Sequence, residues 1–325
     1  MRAIPSLWSP GILWGLWPDQ LMLARRQYRT RQRRGMDSMK TIGYYNGEYG
    51  PIEEMKVPMN DRAVYFGDGV YEAMLVKNRV IFSLEEHLDR FWRSFQALRI
   101  PFVMSREELT AELYKMVDQM DTDAPMVLYW QTSRGTAPRS HVFPKNEKAN
   151  LMITVKPFVM KNMKTFRHRL LTVEDTRFFH CDIKTLNLVP NVMAAQAADE
   201  AGCTEAVFHR GSRVTEGAHS NVSILKEGML KTAPLDNLIL PGITRKHILE
   251  LARQCGIPVL EEPFTLEELM DADEVLVTSS TALCLKAEVI DGKPVKQSAP
   301  ELVQRLQEAY QEKFERETNP SLRKS

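Results

Sequence analysis

The chain has 325 residues, a length that at the usual domain size predicts two domains, or one large domain with a smaller partner. Hydrophobic residues make up 43% and charged residues 26%, as in soluble globular proteins, and 43 Lys+Arg against 42 Asp+Glu argue against a strongly basic nucleic-acid-binding protein. Cys181, Cys203, Cys255 and Cys284 are scattered without a C-x-x-C pair, so neither structural zinc nor a disulfide framework is indicated, and a reducing cytoplasm fits best.

Residues 1 to 38 read as an appendage. Residues 1 to 24 are apolar and hold Trp8, Trp14 and Trp17, but Pro5, Pro10, Gly11, Gly15 and Pro18 break any helix before it reaches a membrane-spanning length. The basic run Arg25 to Arg34 follows the apolar part, the reverse of a secretory signal. Seven Arg against Asp19 and Asp37 make this segment positive and leave the remainder mildly acidic. The bland reading is a solvated, disordered and dispensable tail; a membrane-surface, targeting or nucleic-acid contact is the alternative. Met36 and Met39 stand just before the first regular pattern and are candidate starts.

From Ile42 onward, short β-rich runs and amphipathic helices alternate without a repeat. Ser83 with Glu86 predicts a capping box, followed by Leu84, Leu88, Phe91, Phe95 and Leu98 at helical spacing. Ser105 with Glu108 predicts a second helix, with Leu109, Leu113, Met116 and Met120 on one face. Strands are predicted over 126 to 133 and 151 to 157, and the polar stretch Lys161 to Lys164 marks a domain boundary. Beyond it come a strand over 169 to 174, a helix from Val192 to Ala201 stopped by Gly202, and strands over 205 to 209 and 221 to 225. A helix from Thr244 to Cys255, a strand over 274 to 278 and a hairpin turn at Asp291-Gly292 complete the pattern. Mixed elements segregated into two parts argue for an α+β fold rather than a doubly wound sheet.

Common nucleotide and hydrolase signatures fail. There is no Walker A run, Gly67-Asp68-Gly69 lacks the third glycine of a dinucleotide fingerprint, and neither a nucleophile elbow nor H-E-x-x-H occurs. What remains are polar runs that periodicity does not explain. Lys184, within Cys181 to Asn187, could be a desolvated amine nucleophile or an ordinary solvated lysine. Thr215 to Asn221 offers the Glu216 carboxylate on a turn between two strands. Pro241-Gly242-Ile243-Thr244 opens a helix whose free N–H groups suit an anion, and Thr278 to Thr281 adds hydroxyls at a strand end; simple capping and a polar turn are the alternatives. Arg139 and His141 could clamp a carboxylate or be surface residues, and Arg90 reads equally as a phosphate ligand or a snorkelling arginine.

Together these runs resemble the fold-type IV pyridoxal-phosphate enzymes, the superfamily of branched-chain aminotransferases and aminodeoxychorismate lyases, and most closely the bacterial D-amino-acid aminotransferases. The likeness spans roughly residues 42 to 310 and rests on Phe66 to Glu72, His87-Leu88-Asp89-Arg90, Arg134 to His141, Cys181 to Asn187, Thr215 to Asn221 and Gly242 to Arg245, in family order. It implies a smaller N-terminal α/β sandwich (39–160) and a larger C-terminal pseudo-barrel that binds the cofactor (161–318), with a tail at 319–325. It implies further that Lys184 forms a Schiff base with pyridoxal 5'-phosphate and moves the substrate Cα proton, and that Glu216 pairs with the pyridine nitrogen. Arg90, the backbone of Ile243 and Thr244, Ser280 and Ser279 would hold the phosphate, and Tyr71 would line the substrate side. Arg139 and His141 would trap the substrate α-carboxylate across a homodimer interface and so set the stereochemistry. One departure is Ala218-His219-Ser220, where some relatives carry a serine run. The implied activity is cytoplasmic transamination of D-amino acids such as D-alanine with 2-oxo acids such as 2-oxoglutarate, giving pyruvate and D-glutamate, with no metal, nucleic acid or membrane. A branched-chain L-aminotransferase or an aminodeoxychorismate lyase is the alternative on the same fold.

Overall fold

The computed structural model describes residues 41 to 322, so the expectations for residues 1 to 38 lie outside the described residues. The first half of the described chain builds one antiparallel sheet. Its elements are β1 (Ile42–Tyr45), β2 (Glu48–Pro51), α1 (Arg62–Phe66), β3 (Gly69–Lys77), β4 (Val80–Ile81), α2 (Leu84–Ala97), α3 (Arg106–Asp118), β5 (Met126–Ser133) and β6 (Asn150–Pro157). The six strands lie in the order β2-β1-β6-β5-β3-β4. Strand alternation sends Val70, Met74 and Val76 of β3 to one face, where Leu88, Phe91 and Phe95 of α2 and Leu109, Leu113 and Met116 of α3 cover them around Trp130. The opposite face is covered too, since Leu75, Phe82 and Val127 join a second core.

The second half builds β7 (Arg167–Glu174), α4 (Val189–Glu200), β8 (Glu205–Arg210), β9 (Arg213–Gly217), β10 (Asn221–Lys226), β11 (Met229–Thr232), α5 (Ile243–Gln254), β12 (Val259–Glu261), α6 (Leu266–Met270), β13 (Glu274–Ser279), β14 (Leu283–Ile290), β15 (Lys293–Pro294) and α7 (Pro300–Glu317). Its nine strands run β12-β11-β10-β13-β14-β7-β8-β9, with β15 paired to β14. Most neighbours are antiparallel, but β7 lies parallel to both β14 and β8, and β12 lies parallel to β11. Ile248 and Leu249 of α5 and Leu306, Tyr310 and Phe314 of α7 pack against Leu276 and Leu285 of this sheet. The α+β expectation therefore holds, with helices on open, largely antiparallel sheets.

The N-terminal half of β3 has an edge that β4 does not reach, because β4 pairs only with Val76 and Lys77. The segment after β7 fills that edge: Tyr71 N donates to Lys184 O at 3.0 Å and Leu186 N to Gly69 O at 3.0 Å. Close approach is why position 69 is glycine, since a Cβ there would lie 2.4 Å from Thr132 O and 2.6 Å from Leu186 Cδ1. The lysine-bearing segment of the second half is thus laid along a strand of the first.

Two helix starts differ from expectation. At Ser105 the capping box forms as the sequence predicts, with Glu108 N donating to Ser105 Oγ and Ser105 N to Glu108 Oε2. At Ser83 it does not: Ser83 has φ 55°, outside the extended region an N-cap uses, its buried Oγ has no partner, and Glu86 instead binds Lys246 and His247 of α5. Helix α4 begins three residues before the predicted Val192, because Pro190 suits a first helical turn. The two serines should therefore respond differently to truncation. Ser105→Ala is expected to cost about 1 kcal/mol in urea unfolding, and Ser83→Ala less than about 0.5 kcal/mol.

Candidate active site

A cavity of about 270 Å³ opens where the Lys184 segment meets β3, and its walls include Tyr71, Arg90, Lys184, Glu216, Ile243, Thr244, Ser279 and Ser280. Eight residues singled out in the sequence thus converge on one space. Lys184 is half-buried, and its Nζ sits 4.1 Å from the centre of the Tyr71 ring, which stacks on Tyr129 at 5.5 Å. The main-chain pairing of Lys184 with Tyr71 places that amine; the side chain only has to follow.

Glu216 lies inside β9 rather than on the turn that the sequence suggests, and is buried. The strand ends one residue later because Gly217 begins the tight return to β10, closed by Gly217 N donating to Ser220 O at 2.7 Å. One carboxylate oxygen accepts from Arg177 Nη1 at 2.5 Å; the other accepts from Asn221 Nδ2 and Leu240 N, each at 2.9 Å. Burial pushes the carboxyl up to about 7 against the opposing pull of Arg177, so the group stands ready to share a proton near neutrality.

Arg90 is buried, which excludes the snorkelling surface arginine among the readings that the sequence leaves open. Its Nε and Nη2 donate to the two oxygens of Glu72 at 2.8 and 2.7 Å, and Nη1 donates to Pro241 O at 3.2 Å. His87 Nδ1 lies 2.6 Å from the same carboxylate. Burial by itself would raise the Glu72 carboxyl, but Arg90 and His87 overcome it and hold the group down to about 2. The guanidinium is locked from behind and presents its remaining N–H donors to the cavity.

Next to Arg90, α5 begins at Gly242 without a side-chain cap, leaving the N–H groups of Ile243 and Thr244 to a ligand. A Cβ on Gly242 would lie 2.0 Å from Asn221 Oδ1 and displace the amide that holds Glu216. Ser279 and Ser280 add hydroxyls from the end of β13, and Ser279 Oγ also accepts from Ala282 N at 3.1 Å. Guanidinium, helix N-terminus and hydroxyls together make an anion cradle.

Arg139 and His141 do not line this cavity. Both are exposed and gather around Phe66, with the Arg139 guanidinium carbon and the His141 ring each 5.2 Å from that ring's centre. Glu72 and Arg177 were not singled out for a role by the sequence reading. An acid at a core-facing position of β3, between Val70 and Met74, needs a buried cation, and that mismatch is a signal for Glu72. Arg177 is bound by Asp175 two residues earlier, at 2.9 Å for both Nε and Nη2, a pairing that spacing alone does not distinguish from a surface one.

The family model for amino-transferase class IV matches residues 69–290. A D-alanine aminotransferase of Staphylococcus aureus (strain COL) is 38% identical over 284 residues, covering 84% of this chain and 97% of that protein. The D-alanine aminotransferase of Listeria monocytogenes serotype 4b (strain F2365) is 41% identical over 247 residues, 75% of this chain and 85% of that one. Among solved structures, a T.th. branched-chain amino acid aminotransferase with pyridoxamine 5'-phosphate superposes with a TM-score of 0.77 at 25% identity, covering 87% of this chain and 96% of that one.

The Glu72–Arg90 pair should matter for stability as well as for the cradle. Glu72→Gln leaves a buried guanidinium without its counter-charge and is expected to cost about 3–5 kcal/mol in denaturant unfolding. In the wild type, this pair stabilises the fold above the ordinary carboxylate range, and that contribution is lost as pH falls from about 4.5 toward 2, where Glu72 takes up a proton.

Proposed function

The chain belongs to the class IV aminotransferases, and from that membership we propose that it moves amino groups between D-amino acids and 2-oxo acids with pyridoxal 5'-phosphate as cofactor. The observation that carries the reading is the convergence of a half-buried lysine amine, a buried acid and an anion cradle on one cavity. That donor set fits the cofactor: the uncapped start of α5 and Arg90 suit its phosphate, and Glu216, raised to about 7, suits its ring nitrogen. When bound, the cofactor supplies an aldehyde that takes the amino group and a ring that delocalises the electron pair left at the substrate Cα.

The chain's residues do the rest. Lys184 anchors the aldehyde and carries the Cα proton, because its amine stands over Tyr71 and has no carboxylate pinning it among the described residues. Glu216 keeps the ring nitrogen protonated, with its orientation set by Arg177, Asn221 and Leu240. Arg90, the N–H groups of Ile243 and Thr244, Ser280 and Ser279 hold the phosphate, and Tyr71 bounds the substrate side. The lobe before residue 161 supplies Tyr71 and Arg90, and the lobe after it supplies the other groups.

Arg139 and His141 bind the α-carboxylate from a second copy of the chain. Their position outside the cavity supports this, as does the apolar surface that Val64, Tyr65 and Val142 expose around them. A homodimer using this face would cover those side chains and complete two sites. Among the described residues no helix is long and apolar enough to cross a membrane, and the scattered cysteines, none of them in a disulfide, suit work in the cytoplasm.

Two variants test the reading. Lys184→Ala is expected to abolish pyruvate formation from D-alanine with 2-oxoglutarate while leaving the thermal unfolding of the protein in place. Wild-type turnover of L-leucine or aminodeoxychorismate, with none of D-alanine, would replace the D-specific assignment by one of its alternatives. Arg139→Ala is expected to raise the KM for D-alanine and 2-oxoglutarate, consistent with loss of a charge-assisted contact worth about 1.5–3 kcal/mol, and to spare the half-reaction of an amine without a carboxylate. Equal loss on both amines would mean that Arg139 is structural.

A further inference from the structure

Beside the cofactor groups, the turn joining β9 to β10 carries a residue that none of the roles above uses. His219 lines the Lys184 cavity, and its side chain is 63% exposed at the opening. Behind it stands Glu205 of β8, whose side chain is 1% exposed. Its Oε2 lies 3.0 Å from His219 Nδ1 and accepts from Ser220 Oγ at 2.8 Å, while its Oε1 accepts from Ala206 N at 2.9 Å. A buried carboxylate thus grips two consecutive residues of the turn and orients the imidazole. With Nδ1 turned to Glu205, Nε2 faces away from it and has no protein partner among the described residues.

The arginines and the lysine of the cavity are engaged, and His180, the other histidine on its wall, has no carboxylate holding its ring as Glu205 holds that of His219 among the described residues. Arg90 is matched by Glu72, Arg177 by both Asp175 and Glu216, and the Lys184 amine is reserved for the chemistry. We propose that His219 is a specificity-determining residue that reads substrate charge at the cavity mouth, favouring amino donors and oxo acceptors with a second, distal carboxylate. Partial desolvation of the ring disfavours its charged form, but the Glu205 carboxylate overcomes it and holds the imidazole above its ordinary value, with Lys161 and Lys184 opposing more weakly. With Glu205 at 3.0 Å from Nδ1 the protonated ring is the favoured partner, and in that form the exposed Nε2–H is a charged donor, which rewards a carboxylate more than an amide of the same shape.

This inference rests on the aminotransferase reading, and its test separates the two. The measurement is kcat/KM for glutamate against glutamine, run with whichever enantiomer the wild type accepts, so an enzyme that proved L-specific would overturn the D-assignment and leave the charge comparison standing. Glutamine has the shape of glutamate without its charge. In His219→Gln the glutamate-to-glutamine ratio is expected to fall about tenfold, through KM with kcat little changed, while alanine is spared. His219→Lys, which restores a cation on an exposed position, is expected to recover most of the ratio. An unchanged ratio in His219→Gln, or an equal loss on glutamate, glutamine and alanine, would overturn the proposal, the latter by showing that His219 only shapes the turn.

Discussion

The pairing of Gly69–Tyr71 with Lys184–Leu186 is the constraint on which the rest of the site depends. Main-chain bonds of 3.0 Å in each direction tie a loop of the second sheet to the free edge of a strand in the first, so the lysine amine and the Tyr71 ring are brought together by backbone rather than by side-chain contacts. The start of that strand is pinned in turn by Asp68. Arg134 donates to its two oxygens at 2.8 and 2.9 Å, and Arg62 donates at 2.7 Å from the short helix before it. Arg134 also donates to the carbonyls of Leu98 and Arg99, at 2.8 Å each, and so fixes the end of α2, the helix that presents Arg90. One network therefore aligns the strand that receives the lysine segment with the helix that carries Arg90 to the cavity wall.

Two buried carboxylates flank the cavity and are tuned in opposite directions. Glu72 has Arg90 and His87 to itself, and their combined pull overcomes burial. Glu216 is as enclosed, but its cation is shared: Asp175 engages Arg177 through Nε, Nη2 and the main-chain N–H, leaving Glu216 one close contact. Burial then prevails and the carboxyl rises to about 7. The division suits the work assigned to each end. A carboxylate that stays charged well below neutrality can hold an arginine rigid, whereas a carboxyl balanced near neutrality can share a proton with a ring nitrogen. His219 with Glu205 repeats the theme at the rim, where a buried acid directs an exposed base.

Several elements were legible because their signals are local. The capping box at Ser105, the apolar stripe of α2, the Asp291-Gly292 turn and the strands at 126–133 and 274–278 depend on neighbours within a few residues, and they appear with boundaries shifted by a residue or two at most. Ser83 shows where local reading fails. The same Ser-x-x-Glu spacing is present, but Lys246 and His247, some 160 residues away in the chain, occupy the two oxygens of Glu86, so its carboxylate does not turn back to the Ser83 N–H as a capping box requires.

The site divides along the same line. The sequence by itself determined the residue types, their order and hence the family: a lysine, an acid, an arginine and a glycine-led helix start in a fixed succession mark chemistry whatever their distances. Only the tertiary structure decided which of them meet. It brought Lys184 to Tyr71 through a strand edge, put Glu216 inside a strand under Arg177, showed Arg90 locked by Glu72, and left Arg139 and His141 outside the cavity that the others share. The physical reason is that a residue's type sets what it can bind, while its burial and its partners come from segments distant in the chain, and these fix its charge, orientation and reach.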